Sequence, residues 1–207
     1  MIKTIIFDFD NTLYENATWD KSDGYCMNLL KRVTNLSEKE VVKKFNEYGI
    51  KAEDIFADKA VDFLFKFKNT AKDLVKELQT NIYNFEVENT RFVNGKLIDE
   101  LAKNYNLYIT SYSAKEYCVY YLKKYGINYR LFKGIYQNKF YKYDTSKYPI
   151  YKHILKRENI KSSEILVVGD SKAKDLKPAE KLGFKTKQVY CLNDTIKIIE
   201  ELNERKI

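Results

Sequence analysis

The chain has few of the features that mark membrane, exported or disulfide-linked proteins. Among its 207 residues, no apolar run approaches the ~20 residues that a membrane-spanning helix requires. No basic segment followed by an apolar one opens the sequence, so nothing indicates export, and we expect a cytoplasmic protein with no membrane partner. The three cysteines, Cys26, Cys118 and Cys191, are far apart and lack the spacing of a metal site, which favours reduced thiols.

Histidine and long blocks of like charge are also scarce. The single histidine, His153, lies in a predicted helix without the serine or cysteine motif of a nucleophilic triad. Lysine and arginine number 37 against 29 aspartates and glutamates, and the net charge of +8 would attract anions such as phosphorylated metabolites. No block of like charge is long enough to form a nucleic-acid arm, so the charge alone does not predict nucleic-acid binding.

A hydrophobic stretch near the N-terminus carries the strongest chemical signal. Within Lys3–Thr12, β-branched and aromatic residues typical of a buried parallel strand lead up to Asp8. Ligands of open α/β sheets bind outside the carboxyl ends of the strands, where Asp8 and Asp10 would lie. Two carboxylates ~4 Å apart repel by roughly 4 kcal/mol at an effective dielectric of ~20, and a divalent cation would relieve this repulsion. The alternative is an Asp/Asn turn that caps the next segment.

A second predicted strand, Ile165–Val168, also ends in a carboxylate. Gly169 permits a tight turn, and Asp170 follows it. Asp175 would lie near the first turn of the next helix, where it could equally serve to stabilise the helix N-terminus. Together with the pair after the first strand, these residues would bring four carboxylates to one sheet edge. Mg²⁺ prefers such oxygen ligands and is the cofactor that we expect.

A third predicted strand, Leu107–Thr110, ends in hydroxyls just before a helix N-terminus. The hydroxyls of Thr110 and Ser111, together with free amide groups of the helix, could form a cradle for a phosphate group. The alternative is a local turn in which a serine or threonine hydroxyl bonds to the backbone.

The spacing of apolar residues divides the chain into two regions. Residues 15–89 show helical spacing, with a capping box at Ser37–Glu40 that begins one helix and Gly49 that ends it. Further helices are expected at Ser22–Val33, Asp58–Lys68 and Ala71–Thr80. We therefore expect residues 15–89 to form an inserted α-helical domain.

From about Arg91 onward, strands and helices alternate. The helices are expected at Lys96–Asn104, Ala114–Tyr125, Tyr148–Glu158, Ala173–Leu182 and Asp194–Glu204. Besides Leu107–Thr110, the strands of this region are expected at Gly134–Tyr136, Ile165–Val168 and Thr186–Tyr190. Such alternation predicts an α/β fold, a Rossmann-like, doubly wound and mostly parallel sheet formed by residues 1–14 and 90–207.

Two of these segments resemble the signatures of one enzyme superfamily. Asp8-Phe9-Asp10-Asn11-Thr12-Leu13 is similar to D-x-D-x-T-L, the first signature of the haloacid dehalogenase superfamily of phosphotransferases. Gly169-Asp170-Ser171 with Asp175 is similar to its fourth signature, GDSxxxD. The insertion at residues 15–89 resembles the helical cap domain that many members carry.

The resemblance implies a role for each candidate residue. Asp8 would be the nucleophile, and Asp10 the general acid and base. Thr110 matches the phosphate-binding hydroxyl of the family, and Ser111 replaces the asparagine that usually follows it. The phosphate-binding lysine is expected at Lys147, and Lys142 is the alternative. In the family a proline usually follows this lysine directly, whereas here Tyr148 stands between Lys147 and the proline. The Mg²⁺ ligands would be a side-chain oxygen of Asp8, the backbone carbonyl of Asp10 and the carboxylate of Asp170. Asp175 would contact these ligands rather than the ion itself.

The resemblance also narrows the reaction. It implies a Mg²⁺-dependent phosphatase that hydrolyses a small phosphate monoester, either a nucleotide or a sugar phosphate, through an aspartyl-phosphate. Dehalogenases of the superfamily lack an aspartate at the position of Asp10, which argues against dehalogenation. A phosphomutase, which uses the same residues, and a noncatalytic binding or regulatory member are the alternatives. The oligomeric state is left open.

Overall fold

A computed structural model describes residues 1–16, 27–28, 30–31, 34–47, 49, 90–138 and 146–204. The chain divides into two compact units, Met1–Glu15 with Arg91–Ile207, and Asn16–Thr90. Among the described residues, no helix combines the length and the apolar character needed to cross a membrane.

The first unit is built on a parallel sheet. Among the described residues, the strands are β1 (Thr4–Asp8), β2 (Tyr14–Asn16), β3 (Thr90–Phe92), β4 (Asn106–Ser111), β5 (Phe132–Gln137), β6 (Ile165–Gly169) and β7 (Lys185–Gln188). Five of them form a sheet in the order β5-β4-β1-β6-β7, and every neighbouring pair in it is parallel. The short strands β2 and β3 pair with each other where the chain leaves the first unit and returns to it. The predicted mostly parallel, Rossmann-like sheet is therefore confirmed.

The helices follow the expected alternation. The helices whose bounds the structure describes are α1 (Glu38–Glu47) in the second unit, and α2 (Gly95–Ala102), α3 (Lys115–Lys124), α4 (Tyr148–Glu158), α5 (Lys177–Glu180) and α6 (Leu192–Glu204) in the first. The predicted limits of α4 agree with the structure, and the other predicted helices of the first unit except α5 agree to within two residues at each end. Pro149 lies in the first turn of α4, where its missing N–H costs no intrahelical hydrogen bond.

The second unit is described only in part. The capping box of α1 is confirmed, because the Ser37 N–H donates to Glu40 Oε2 at 2.8 Å and the Glu40 N–H donates to Ser37 Oγ at 3.4 Å. Gly49, with φ of +71°, follows the end of this helix as expected. The helices predicted at Asp58–Lys68 and Ala71–Thr80, and much of Ser22–Val33, lie outside the described residues. The interpretation of residues 15–89 as a helical cap stays a prediction.

The helix predicted at Ala173–Leu182 begins differently from expectation. Its first turn is widened into a π-helical turn, Lys172–Leu176, and regular α-helix is confined to α5. The wide turn lets the Asp175 N–H and the Leu176 N–H share one acceptor, the Ser171 carbonyl, at 2.9 and 3.3 Å. Turns of this kind often occur at functional sites, and this one contains the buried residue Asp175.

Both faces of the sheet are buried. On one face, Ile6, Tyr108 and Val167 pack against Tyr151 and Ile154 of α4. Neighbouring strand residues point to the opposite face and are also buried, among them Ile5, Phe7, Ile109 and Val168. Burial on both sides explains why the strands are almost continuously apolar rather than alternating.

The strand order determines where a ligand can bind. Strands β4 and β5 lie on one side of β1, and β6 and β7 lie on the other, so the order reverses between β1 and β6. A crevice opens at such a switch point, outside the carboxyl ends of the strands. Asp8 ends β1, and Asp170 directly follows β6.

Truncation of the α4 core residue should destabilise the protein. Ile154 is fully buried, and we expect Ile154→Ala to lower the free energy of unfolding in urea by about 2 to 5 kcal/mol. The neighbouring exposed Lys152→Ala on the same helix should change it by less than about 0.5 kcal/mol. Equal losses in both variants would contradict the packing described.

Candidate active site

Asp8 lies at the end of the central strand with its carboxylate buried. Its partner in the register of β1 and β4 is Thr110, so both residues reach the same edge of the sheet. Lys147 Nζ donates to Asp8 Oδ1, and Thr12 Oγ1 donates to Asp8 Oδ2 at 3.3 Å. The local turn explains the second contact, because Leu13 N–H donates to the Phe9 carbonyl at 3.1 Å and brings Thr12 back over Asp8.

Lys147 is a fully buried cation at the N-terminus of α4. Besides Asp8, its Nζ contacts Asp175 Oδ1 at 2.6 Å and donates to the Thr110 carbonyl at 3.0 Å. Two of these contacts are hydrogen bonds, to Asp8 and to the Thr110 carbonyl, and the contact with Asp175 is an ion pair. The structure thus brings Lys147 to the carboxylates, whereas the alternative Lys142 lies outside the described residues.

The electrostatics of this cluster are dominated by burial. Burial raises the pKa of Asp8, Lys147 opposes the rise, and Asp175 and Asp10 add to it. Burial alone would lower the pKa of Lys147, but Asp8 and Asp175 outweigh that effect and hold it above its ordinary value. One buried ammonium therefore faces two buried carboxylates, and the cluster has an unbalanced negative charge.

The residues after β6 complete the cluster. Asp175 is buried, and its Oδ2 accepts a hydrogen bond from the Ser171 N–H at 3.0 Å. A Cβ atom on Gly169 would lie 2.8 Å from the Asp175 Cβ, so only glycine permits this approach. Asp170 is half-buried, and burial followed by the charge of Asp175 raises its pKa. Its backbone carbonyl accepts from Gln188 Nε2 at 3.2 Å.

Three carboxylates are close enough to share one cation. One oxygen each of Asp8, Asp170 and Asp175 lie within 4.8 Å of one another. This all-oxygen donor set with excess negative charge fits Mg²⁺. Asp8 and Asp175 are both buried and both paired with Lys147, whereas Asp170 is half-buried and lies directly after β6.

Asp10 does not join this cluster through its side chain. Tyr14 donates from its hydroxyl to Asp10 Oδ1 at 2.6 Å, and Ser111 Oγ donates to Oδ2 at 2.8 Å. Ser113 Oγ lies 3.2 Å from both carboxylate oxygens. The backbone carbonyl of Asp10, which the sequence assigns to the metal, is not engaged by these contacts, and its metal role stays a prediction.

The two predicted phosphate-binding hydroxyls are both buried at the end of β4. Thr110 contributes its carbonyl to Lys147, as described above. Ser111 Oγ accepts a hydrogen bond from the Ser113 N–H at 2.8 Å, and this bond forms the local turn that the sequence analysis gave as the alternative. Ser111 Oγ also donates to Asp10. It does not cap α3, whose N-cap is Ala114. Phosphate binding by these hydroxyls stays a prediction.

Tyr14 and Ser113 are contacts of Asp10 that the sequence reasoning missed. Tyr14 follows Asp10 by four residues, the same separation as Thr12 from Asp8. Asn11, with φ of +57°, makes the turn that produces both pairs. This repeated separation within a turn containing a left-handed asparagine is a signal that could have identified Tyr14. Ser113 offers no comparable signal, because its contact with Asp10 is long-range.

Comparison with known proteins assigns the chain to a family. The model of the haloacid dehalogenase-like hydrolases matches residues 5–189. No curated protein matches the chain significantly.

Several solved structures share the fold at low sequence identity. A predicted phosphoglycolate phosphatase from Haemophilus somnus is 19% identical over 97% of each chain, with a TM-score of 0.61. A 2-haloacid dehalogenase from Pseudomonas syringae is 13% identical over 100% of each chain, with a TM-score of 0.61. The protein named HAD-hydrolase YfnB from Bacillus subtilis, bound to magnesium, is 18% identical over 98% of this chain and 99% of its own, with a TM-score of 0.59.

Substitution of Gly169 should disturb the cluster without changing its charge. A methyl group there meets Asp175 Oδ2 at 2.9 Å as well as its Cβ, so we expect Gly169→Ala to cost about 1 to 3 kcal/mol in the free energy of unfolding. In the control Gly95→Ala, the nearest atom is Ile127 Cγ1 at 3.4 Å, and the cost should stay below about 1 kcal/mol. If Gly169→Ala were no worse than the control, Asp175 would not lie where the structure has it.

Proposed function

The chain belongs to the haloacid dehalogenase-like hydrolases, a family of enzymes, and from that premise we propose that it is a Mg²⁺-dependent phosphatase acting on a small phosphate monoester, a nucleotide or a sugar phosphate. The observation that carries the proposal is the contrast between two carboxylates two residues apart. Asp8 is held by a buried ammonium group, and Asp10 is held by hydroxyls. Such a contrast suits two different chemical roles.

Asp8 is the proposed nucleophile. Its carboxylate oxygen attacks phosphorus, and the bond from phosphorus to the ester oxygen breaks, which leaves a phosphoryl group on Asp8. The Lys147 ammonium favours the ionised form that this attack requires and fixes the direction of the carboxylate. Thr12 bonds to the second oxygen and supports the same orientation.

Asp10 is the proposed general acid and base. In the first step its proton passes to the ester oxygen as the alcohol leaves. In the second step Asp10 takes a proton from the attacking water, the phosphorus–Asp8 bond breaks, and the Asp8 carboxylate is regenerated. The balance is ester plus water to alcohol plus phosphate.

A divalent cation would supply charge neutralisation and polarisation of the phosphoryl group. Its proposed ligands are a side-chain oxygen of Asp8, the backbone carbonyl of Asp10 and the carboxylate of Asp170. Asp175 is proposed to act through Lys147 and the Ser171 amide. The magnesium in the similar YfnB structure supports this choice of ion.

Lys147, Thr110 and Ser111 are the proposed partners of the phosphoryl oxygens. Lys147 could bind a phosphoryl oxygen while keeping one carboxylate contact, because its ammonium group already reaches both Asp8 and Asp175. Preorganised donors of this kind stabilise the charge that develops in the transition state. The unit Asn16–Thr90 is proposed to be the inserted cap domain.

The fold alone does not distinguish a phosphatase from a dehalogenase, because the similar structures include both. Asp10 favours the phosphatase, since halide departure needs no proton donor. A phosphomutase would use the same groups and return the phosphoryl group to a sugar. Release of inorganic phosphate from the ester, rather than an isomeric ester, is the product that favours the phosphatase.

Removal of the nucleophile should abolish phosphate release. We expect Asp8→Asn, which keeps the side-chain shape, to lower kcat/KM by more than about a thousandfold while the unfolding midpoint shows that the fold is retained. A panel of phosphorylated metabolites with Mg²⁺ identifies the substrate for this assay. The control Asp99→Asn, on the exposed side of α2, should retain wild-type activity. Substantial turnover by Asp8→Asn would refute the role of Asp8.

Chelation should have an equally clear effect. Treatment of the enzyme with EDTA should reduce phosphate release to background, and added Mg²⁺ should restore it. Asp170→Asn should require a higher Mg²⁺ concentration for half-maximal activity, by roughly tenfold or more, whereas Asp99→Asn should not. Undiminished activity after exhaustive chelation would rule out the metal.

A further inference from the structure

The side chain of Asp10 is surrounded by hydroxyl groups rather than by charged donors. Tyr14 reaches Oδ1 at 2.6 Å, Ser111 reaches Oδ2 at 2.8 Å, and Ser113 lies 3.2 Å from both oxygens. These side chains come from β2, the end of β4 and the loop before α3, all within the first compact unit. We call Tyr14, Ser111 and Ser113 the hydroxyl cradle.

A hydroxyl differs from an ammonium group in how it holds a carboxylate. It can donate one hydrogen bond and also accept others, and its hydrogen rotates to suit the partner. A cradle of hydroxyls can therefore hold Asp10 both as a carboxylate and as a carboxylic acid. The ammonium of Lys147 can only donate, so it suits a carboxylate that stays ionised, such as Asp8.

Tyr14 is held in the cradle by the packing of its ring. Its ring is almost completely buried, stacks on Phe92 at a centroid distance of 5.9 Å and packs against Phe9 and Tyr121 at 5.2 and 5.3 Å. Its hydroxyl oxygen also lies 3.4 Å from the Tyr117 hydroxyl. Packing of the ring thus constrains the position of the Tyr14 oxygen in addition to its hydrogen bond with Asp10.

We propose that Tyr14 and Ser113 are positioning residues that hold the Asp10 carboxyl group in the direction of the ester oxygen of the substrate. The inference rests on the proposed function and extends it to residues outside the family signatures. Ser111 belongs to the same cradle, but its proposed contact with phosphate makes it unsuitable for a selective test.

The leaving group provides a readout that a purely structural role would not alter. Phenyl phosphate releases a weakly acidic phenol and depends on the proton that Asp10 donates. The more acidic leaving group of 4-nitrophenyl phosphate departs with little help. If Asp10 is no longer held in position, kcat/KM should therefore fall far more on phenyl phosphate than on 4-nitrophenyl phosphate. A general loss of folding or of phosphate binding should lower kcat/KM equally on both esters.

The test compares Tyr14→Phe and Ser113→Ala with wild-type enzyme loaded with Mg²⁺. We expect each variant to lose about tenfold or more in kcat/KM on phenyl phosphate and less than about threefold on 4-nitrophenyl phosphate. The matched control is Tyr105→Phe, which removes a partly buried hydroxyl that donates to the Leu202 carbonyl at 3.1 Å, and its activity on both esters should be unchanged.

The outcomes separate the two proposals. Equal losses on both esters, or no loss in either variant, would overturn the positioning role while leaving the phosphatase intact. Should Tyr14→Phe fail to fold, Ser113→Ala alone decides by the same criterion. Absence of turnover by the wild type on these esters and on a phosphorylated metabolite panel would instead overturn the proposed function and the cradle's role with it.

Discussion

The candidate site depends on the buried ammonium group of Lys147. It links Asp8 at the end of β1, Asp175 in the π-helical turn after β6 and the Thr110 carbonyl of β4. These elements are distant in sequence, and their carboxylates would repel one another at the switch point without a counter-charge. Because a buried ion pair contributes little net stability, its value here lies in fixing the geometry of Asp8 rather than in strengthening the fold.

The second constraint is the short turn after β1. The left-handed Asn11 lets the chain reverse, so that Thr12 returns to Asp8 and Tyr14 returns to Asp10. Two carboxylates separated by one residue thereby enter different surroundings, one with a donor-only cation and one with rotatable hydroxyls. Thr12 and Tyr14 thus each supply a hydroxyl to one of the two aspartates, and the left-handed conformation of Asn11 makes both contacts possible.

Much of the fold could be predicted because its signals are local. Continuous apolar strands that alternate with segments of helical spacing identified the sheet strands and the helices of the first unit, and a capping box with a terminal glycine identified α1. The π-helical turn could not be read in this way, because it depends on the close approach of Asp175 to Gly169. The shifts of up to two residues at helix ends are of the size by which fraying helix ends ordinarily vary. The short strands β2 and β3 depend on their pairing with each other, which local sequence preference does not reveal.

The residues of the site likewise divide into those with a local sequence signal and those that depend on contacts across the fold. Asp8 and Asp170 follow hydrophobic strands and are visible in the sequence, whereas the partners of Lys147 and Ser113 arise from contacts across the fold. A lysine-rich chain offers many candidate cations, and among the lysines that the structure describes, Lys147 is distinguished by its burial.

The most direct measurement of the central claim is to locate the phosphoryl group during turnover. The Mg²⁺-loaded enzyme would be quenched with acid while it hydrolyses a phosphate monoester, digested, and mapped by mass spectrometry. The account predicts a phosphoryl group on the β1 peptide at Asp8. A phosphoryl group on a different residue, or active turnover with none on Asp8, would contradict it.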